Sequence, residues 1–505
     1  MAAPSVLFVP ADARPVTRDL VLKLALLTDY RMLTPPREVL GERMTGADLG
    51  ALGLWVDDHT QQVDLCLAAA EMLCYGGLVP SRVSADSLPA VEARAAAMLA
   101  LAARVPTYVA AVNMRIPTSA ESDEEPAYWR TYGNALSRYS QERDRWEQTG
   151  AGDAAAALTD ALAGVPAPVV EDFLWRRRRN FLVNLGLVAA AAQGKVRYLL
   201  LGQDDASPYG LARSDRDALA RLGRTLGATG RVSTTTGADE LAARLFARMV
   251  NDRLRARPTV RVVYSAPLSR RLVPAYEMDP LEETVRSHIE SVGAELVDGE
   301  AEITLIVHNF PGLRQLEAFA QPYRPDALAT KAAEELAAAK ARGTLCALAD
   351  VRYANGADDG LITTLLAQPQ ASGIDAYAGW NTASNALGTT LAHAVALLHL
   401  RKGSFGPVGD RKEHSRRLLL ERLLDDWGYQ AHVRWALAKE VLPTEPQCTS
   451  ADLRPAEARF VEEATRRLDE TILPKLASSF GLALSVRLHF PWHRLFEVAL
   501  DVAVR

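Results

Sequence analysis

The chain has 505 residues, 49% of them hydrophobic, and carries 57 Lys and Arg against 62 Asp and Glu. The formal charge of -5 is small for this length and the cations are scattered, which argues against a nucleic-acid footprint. No apolar run reaches the length of a membrane span. The four cysteines, Cys66, Cys74, Cys346 and Cys448, form no CxxC pair and are expected to be reduced, as in a cytoplasmic protein. The opening residues read as a strand, not as a signal peptide.

Short β-rich runs alternate with longer helical ones. Strands are predicted at 6–9, 108–112, 198–201, 260–264, 303–307, 345–348 and 375–378. Weaker ones are predicted at 30–33, 65–69 and 232–235. Helical patterns fill 20–27, 88–103, 215–226, 240–252, 282–291 and 331–340. The alternation predicts an α/β protein with parallel strands, which are near-continuously apolar because both faces are covered. Two architectures fit. One is a (β/α)8-like barrel with insertions over 1–400, followed by a mostly helical region over 401–505. The other is a pair of doubly wound parallel-sheet halves, with an internal boundary near 257, where Arg257-Pro258-Thr259 precedes a fresh strand.

Residues 123–192 read as a helical insertion. Within it, Trp175-Arg176-Arg177-Arg178-Arg179-Asn180 is expected to be a solvated helix face with an aromatic anchor. The acidic run at 121–125 is expected to be a solvated loop. From 411 the pattern is helical again, and the chain closes with a strand pair near 482–490 and 496–504.

Polar residues gather just past the predicted strand ends, where α/β proteins build their sites. The first strand leads to Asp12 and Arg14. Tyr75 and the paired glycines Gly76-Gly77 precede Arg82, a planar donor suited to a polar ligand. The next strand delivers Asn113 and Arg115, typical readers of hydroxyl and carboxylate groups. The run Leu199-Leu200-Leu201-Gly202 ends in Gln203 and the adjacent acids Asp204 and Asp205. Asp239 and Glu240 form a second acidic pair, for which a helix N-terminus is the competing explanation. Asn309, Asp350 and Asn355 follow later strands, and an ordinary turn explains each of them equally well. Trp380, Asn381 and Asn385 place amides around one indole, as in proteins that hold polyols.

The nine histidines form neither HxH nor HExxH spacing, and GxSxG is absent. His393 and His399 fall on an apolar helix and are expected in the core. Neither a metal site nor a cofactor is predicted, and no oligomeric state is implied.

The segments Asp12-x-Arg14-Pro15, Tyr75-Gly76-Gly77-Leu78, Gln203-Asp204-Asp205-x-x-Pro208-Tyr209-Gly210, Gly237-Ala238-Asp239-Glu240 and Tyr377-Ala378-Gly379-Trp380-Asn381-Thr382 resemble a bacterial family known as domain of unknown function 4127. The resemblance spans nearly the whole chain and implies one shared fold, with no catalytic assignment. The chain also resembles substrate-assisted N-acetylhexosaminidases, barrels in which an adjacent acid pair follows a middle strand. That likeness implies that Asp204 orients the substrate acetamide and Asp205 protonates the leaving oxygen. It also implies that Asn309 and Trp380-Asn381 hold the sugar.

The expected function is a glycoside hydrolase or related sugar-processing enzyme, N-acetylated sugars included. Asp204 and Asp205 are its catalytic acids, and its substrate is a small molecule or oligosaccharide. One alternative is a metal-assisted enzyme in which Asp204, Asp205 and Asp350 hold Mg²⁺ or Mn²⁺. Another is a non-catalytic sugar-binding protein.

Overall fold

The computed structural model describes residues 3–118, 120, 123–368 and 373–504. The chain forms two compact units. The first comprises Met1–Ala13, Tyr30–Leu245 and Tyr276–Asp279, and the second Arg14–Asp29, Phe246–Ala275 and Pro280–Arg505.

In the first unit the strands are β1 (Ser5–Val9), β2 (Arg31–Leu33), β3 (Leu65–Ala69), β4 (Thr107–Asn113), β5 (Tyr198–Gln203) and β6 (Val232–Thr236). All pair in parallel, in the order β2-β1-β3-β4-β5-β6. In the second unit, β7 (Thr259–Tyr264), β8 (Glu295–Leu296) and β9 (Ile303–Asn309) are followed by β10 (Leu316–Glu317), β11 (Leu345–Val351), β12 (Tyr353–Ala354) and β13 (Ala376–Ala378). Its main sheet is parallel too, in the order β13-β11-β9-β7-β8.

From the first strand of each unit the pattern is the same. The second strand lies on one side of the first, and the third and later strands lie on the other. This is a doubly wound order, with a switch point between the first and third strands. Among the described residues the parallel strands therefore make two open sheets, with β10 and β12 as a separate parallel pair, so the barrel expectation is corrected. Pairing order, which strand spacing does not encode, decides between the two architectures.

All ten predicted strands are present, and the insertion after β4 is helical over Trp129–Thr149, Gly152–Ala161 and Ala167–Ala192. The closing pair is an antiparallel ribbon, β14 (Leu484–His489) with β15 (Ala499–Val504). In the second unit one apolar cluster runs from Ile306, Leu348 and Tyr377 through Leu420 and Trp427 to Phe460 and Val502, so the late helices pack as part of the same core as the sheet. No described helix is long and apolar enough to cross a membrane.

Two arginine- or glutamate-rich stretches differ from expectation. On the helix Ala167–Ala192, Arg177, Arg179 and Asn180 are buried. Arg179 donates to the carbonyls of Ser81 and Ser84 at 2.8 and 2.7 Å, and Arg177 to that of Met114 at 2.8 Å. These guanidiniums tie down the loops after β3 and β4 and do not form a solvated face. Glu124 and Glu125 are likewise drawn inward, as described below; Glu121 lies outside the described residues.

Candidate active site

Three loops at the C-terminal edge of the first sheet converge. Arg82 comes from the short helix Pro80–Val83 beyond β3, Arg115 with Glu124 and Glu125 from the loop after β4, and Asp204 with Asp205 from the end of β5. Gly202 sets the end of β5. A Cβ there would lie 2.3 Å from the Gly237 carbonyl oxygen and 2.6 Å from Leu241, so only glycine lets the turn after β6 close over this strand. Beneath the acids, the Asn113 amide donates to Gln203 at 2.5 Å and to the Ala212 carbonyl at 2.7 Å. Gln203 in turn donates to the Asp204 carbonyl at 2.7 Å. Both amides are buried, so Asn113 and Gln203 brace the loop from within.

Asp205 has φ +26°, a strained conformation for a residue with a side chain. On a regular strand, neighbouring side chains point to opposite faces. The departure at Asp205 brings both carboxylates to one side. Arg115 Nη1 lies 2.7 Å from Asp205 Oδ2 and 3.9 Å from Asp204 Oδ2. Arg82 donates to Asp204 at 2.5 Å and to Glu124 at 3.0 Å. Arg115 also reaches Glu125 at 2.8 Å and Glu124 at 3.2 Å. Two guanidiniums thus face four carboxylates.

The charge balance shows in the titration of the groups. Burial pushes the Asp205 carboxyl up to about 6, and the neighbouring Asp204 charge adds to this against the pull of Arg115 and Arg82. Burial also raises Glu125, opposed by Arg115 and Arg82. For Arg115, burial acts downward, but Asp205, Glu125, Glu124 and Asp204 carry its pKa well above the usual value. The Asp205 side chain keeps 29% exposure, against 3% for Arg82 and 2% for Glu125. Beside it is a cavity of about 10 Å³ lined by Ser140, Tyr209, Gly210 and Arg213, room for about one water molecule.

The other predicted residues of the first unit lie elsewhere in it. Asp12 is buried in the turn after β1, next to the switch point. Tyr75 is buried with the Arg179 guanidinium 5.0 Å over its ring. Asp239 and Glu240 precede the helix Leu241–Leu254, where Glu240 forms a fully buried ion pair with Arg244 at 3.1 Å.

Arg14, Asn309, Asp350, Asn355, Trp380, Asn381 and Asn385 belong to the second unit. Asn309 is fully buried. It accepts the Ala266 N–H at 2.9 Å and donates to the Ala266 carbonyl at 2.9 Å and to Ser269 at 3.2 Å, which shapes the turn after β7. Asp350 accepts the Asp358 N–H at 2.7 Å and the Tyr377 hydroxyl at 3.4 Å. Asp358 in turn bonds His308 at 2.8 Å and Arg352 at 2.9 Å. Nearby, Asp426 accepts the Gly379 N–H at 2.7 Å and an Arg422 N–H at 3.2 Å. The helix widens over Leu423–Val433, which lets Gln430 reach Asp425, five residues back, at 3.2 Å. Burial pushes Asp350 up to about 6 and Asp426 up to about 7. Asn355 and Asn381 both have positive φ, +61° and +64°, and are joined by the Asn355 N–H to the Asn381 carbonyl at 2.9 Å. Trp380 is buried against Phe496, ring centroids 5.5 Å apart. His393 and His399 are core residues, and burial lowers them to about 3 and about 4.

Sequence reasoning missed Glu124 and Glu125, although Arg115, only nine and ten residues away, was the available signal. His308 and Asp358 stood out as polar residues past strand ends, but nothing local paired them with each other, and nothing local marked Arg422–Asp426. Among the described residues, no group of three or more His, Cys, Asp or Glu side chains is placed to hold a metal ion.

An α/β protein of two doubly wound units, with a carboxylate–arginine network at a strand edge, is the class that the fold and the site define. The chain belongs to the DUF4127 family, proteins of unknown function, which matches residues 6–501. No curated protein and no solved structure matches it.

Proposed function

We propose that the first unit carries a general acid–base site that hydrolyses glycosidic bonds, with Asp205 as the proton donor. The observation that carries this reading is the meeting of Asp204 and Asp205 on one guanidinium, with Asp205 pushed up to about 6. An acid titrating near 6 retains part of its protons near neutrality and gives them up readily, the compromise that general acid catalysis requires. Asp204, bonded by Arg82, is the carboxylate that stabilises positive charge developing at the anomeric carbon or an acetamide. The cavity beside Asp205 holds about one water, so a saccharide would meet this acid on the 29% of its side chain that faces solvent.

The test is a panel of nitrophenyl glycosides, N-acetylated sugars included. Turnover by the native chain and its loss in Asp205→Asn, with an unchanged circular dichroism spectrum, support the reading. Near-native turnover in the variant overturns it.

The metal-assisted alternative joined Asp350 to the twin aspartates, but Asp350 has its own network in the second unit. The binding-protein alternative draws support from the repeated strand order of the two units. Saturable sugar binding with no product over long incubation would favour it.

A further inference from the structure

The second unit holds a group of three arginines packed on aromatic rings. Arg14 and Arg494 share one carboxylate: Arg14 reaches Glu497 Oε1 at 3.1 Å, and Arg494 grips both oxygens of Glu497 at 2.5 and 2.6 Å. Both guanidiniums also lie over the Trp492 ring, at 4.6 and 4.8 Å from its centroid. A third, Arg434, lies over the Phe496 ring at 4.7 Å, the same ring that Arg494 covers at 5.2 Å. Arg434 donates to the Gln430 side-chain oxygen at 3.1 Å. Among the described residues no carboxylate stands within 4 Å of it. Glu497 and Glu317 act on it only from farther off, and burial lowers its pKa against their pull. A partly buried guanidinium with no carboxylate in direct contact is costly.

The remaining polar atoms point the same way. The buried indole N–H groups of Trp380, Trp492 and Trp435 have no hydrogen-bond partner. Every one of them is a donor, and buried donors left unpaired are uncommon in native proteins. The backbone is strained here as well, because Trp492 and His493 both lie in the left-handed region, with φ +55° and +53°. Trp380 follows β13 directly, at the C-terminal edge of a parallel sheet, where doubly wound proteins bind ligands. Glu497 makes its direct bonds to Arg14 and Arg494, which leaves Arg434 and the indole donors able to take an acceptor from outside the chain.

We infer that this cluster is an oxyanion-binding site, with Arg434 as its principal contact and a small metabolite bearing a carboxylate or phosphate group as its ligand. The site is independent of the acid–base chemistry assigned to Asp205, so Asp205→Asn binds the same ligand with unchanged affinity.

The experiment titrates the full chain at constant ionic strength with inorganic phosphate, glucose 6-phosphate, glucuronate and neutral glucose. Intrinsic tryptophan fluorescence and thermal stability are followed together. At least one anion is expected to give a saturable signal and a raised melting temperature, with no response to glucose. Phosphate and glucose 6-phosphate against glucuronate separate the two kinds of oxyanion. Arg434→Gln, and independently Gln430→Glu, which puts a carboxylate where Arg434 now donates to the Gln430 amide oxygen, should each weaken binding at least tenfold. If none of the three anions saturates, or if a folded Arg434→Gln variant binds with native affinity, the inference fails.

Discussion

The two units solve one problem differently. Each is a parallel sheet with the same strand order, and each gathers carboxylates where its strands end. In the first unit the acids keep a path to solvent, with 29% exposure at Asp205 and 18% at Asp204, and arginines meet all four carboxylates. In the second unit Asp350 and Asp426 are sealed, at 1% and 0% exposure, and backbone N–H groups take much of their charge. An exposed acid with a raised pKa can exchange its proton with a substrate. A sealed one can only store that proton, and what it stores is conformational stability. Topology therefore does not decide the role of an acid at a strand end; access does.

Substitution separates the two roles most sharply. Asp205→Asn should lower kcat on a cleaved glycoside by about 10²–10⁴-fold with the unfolding midpoint changed little, since the Asn oxygen still accepts from Arg115 while the proton donor is lost. Asp426→Ala should do the reverse. It strips an acceptor from the Gly379 N–H and one of two carboxylates from Arg422, at roughly 3 kcal/mol of stability by denaturant titration, with turnover of the remaining folded enzyme preserved.

The pH dependence of stability sharpens the contrast. Asp350 and Asp426 bind protons more tightly folded than unfolded, since their folded values near 6 and 7 exceed the usual value near 4. Their stabilising contribution is complete below about 4 and is lost as pH rises through 6 and 7. Glu71 in the first unit, pushed up to about 7 by burial, acts in the same direction. Protection factors of amides within β11 and β13, corrected for the intrinsic rise of exchange with pH, should therefore fall between pH 5 and 8. Asp426→Asn, which keeps an acceptor for Gly379 but cannot ionise, should flatten that dependence. At the small end, the exposed cross-strand pair Arg487–Asp501 contributes little, and Arg487→Ala should cost no more than about 0.5 kcal/mol.

The strands were legible because buried parallel strands read as short apolar runs, and Tyr198–Gln203 is one of them. The edge strand Glu295–Leu296 was not, since two exposed residues leave no pattern. The division into two sheets was weighed but not decided, because it depends on which distant strands pair. At the candidate site, Arg82, Arg115, Asp204 and Asp205 stood out as polar residues after apolar strands. Glu124 and Glu125 looked solvated because a run of acids is soluble by itself; two arginines, one more than forty residues away, hold them in. Arg422, Asp425 and Asp426 have the three- and four-residue spacing of a surface pair on a helix. Only packing beneath Gly379 makes them interior.

The central claim is that Asp205 titrates near 6, and so keeps a fraction of its protons near neutrality, because it is partly buried beside Asp204. A carbon-detected NMR titration of the side-chain carboxyls, with Asp205 assigned by its disappearance in Asp205→Asn, measures this directly. A midpoint near 6 that falls in Asp204→Asn is the predicted result. A midpoint at or below about 4, unmoved by Asp204→Asn, would contradict it.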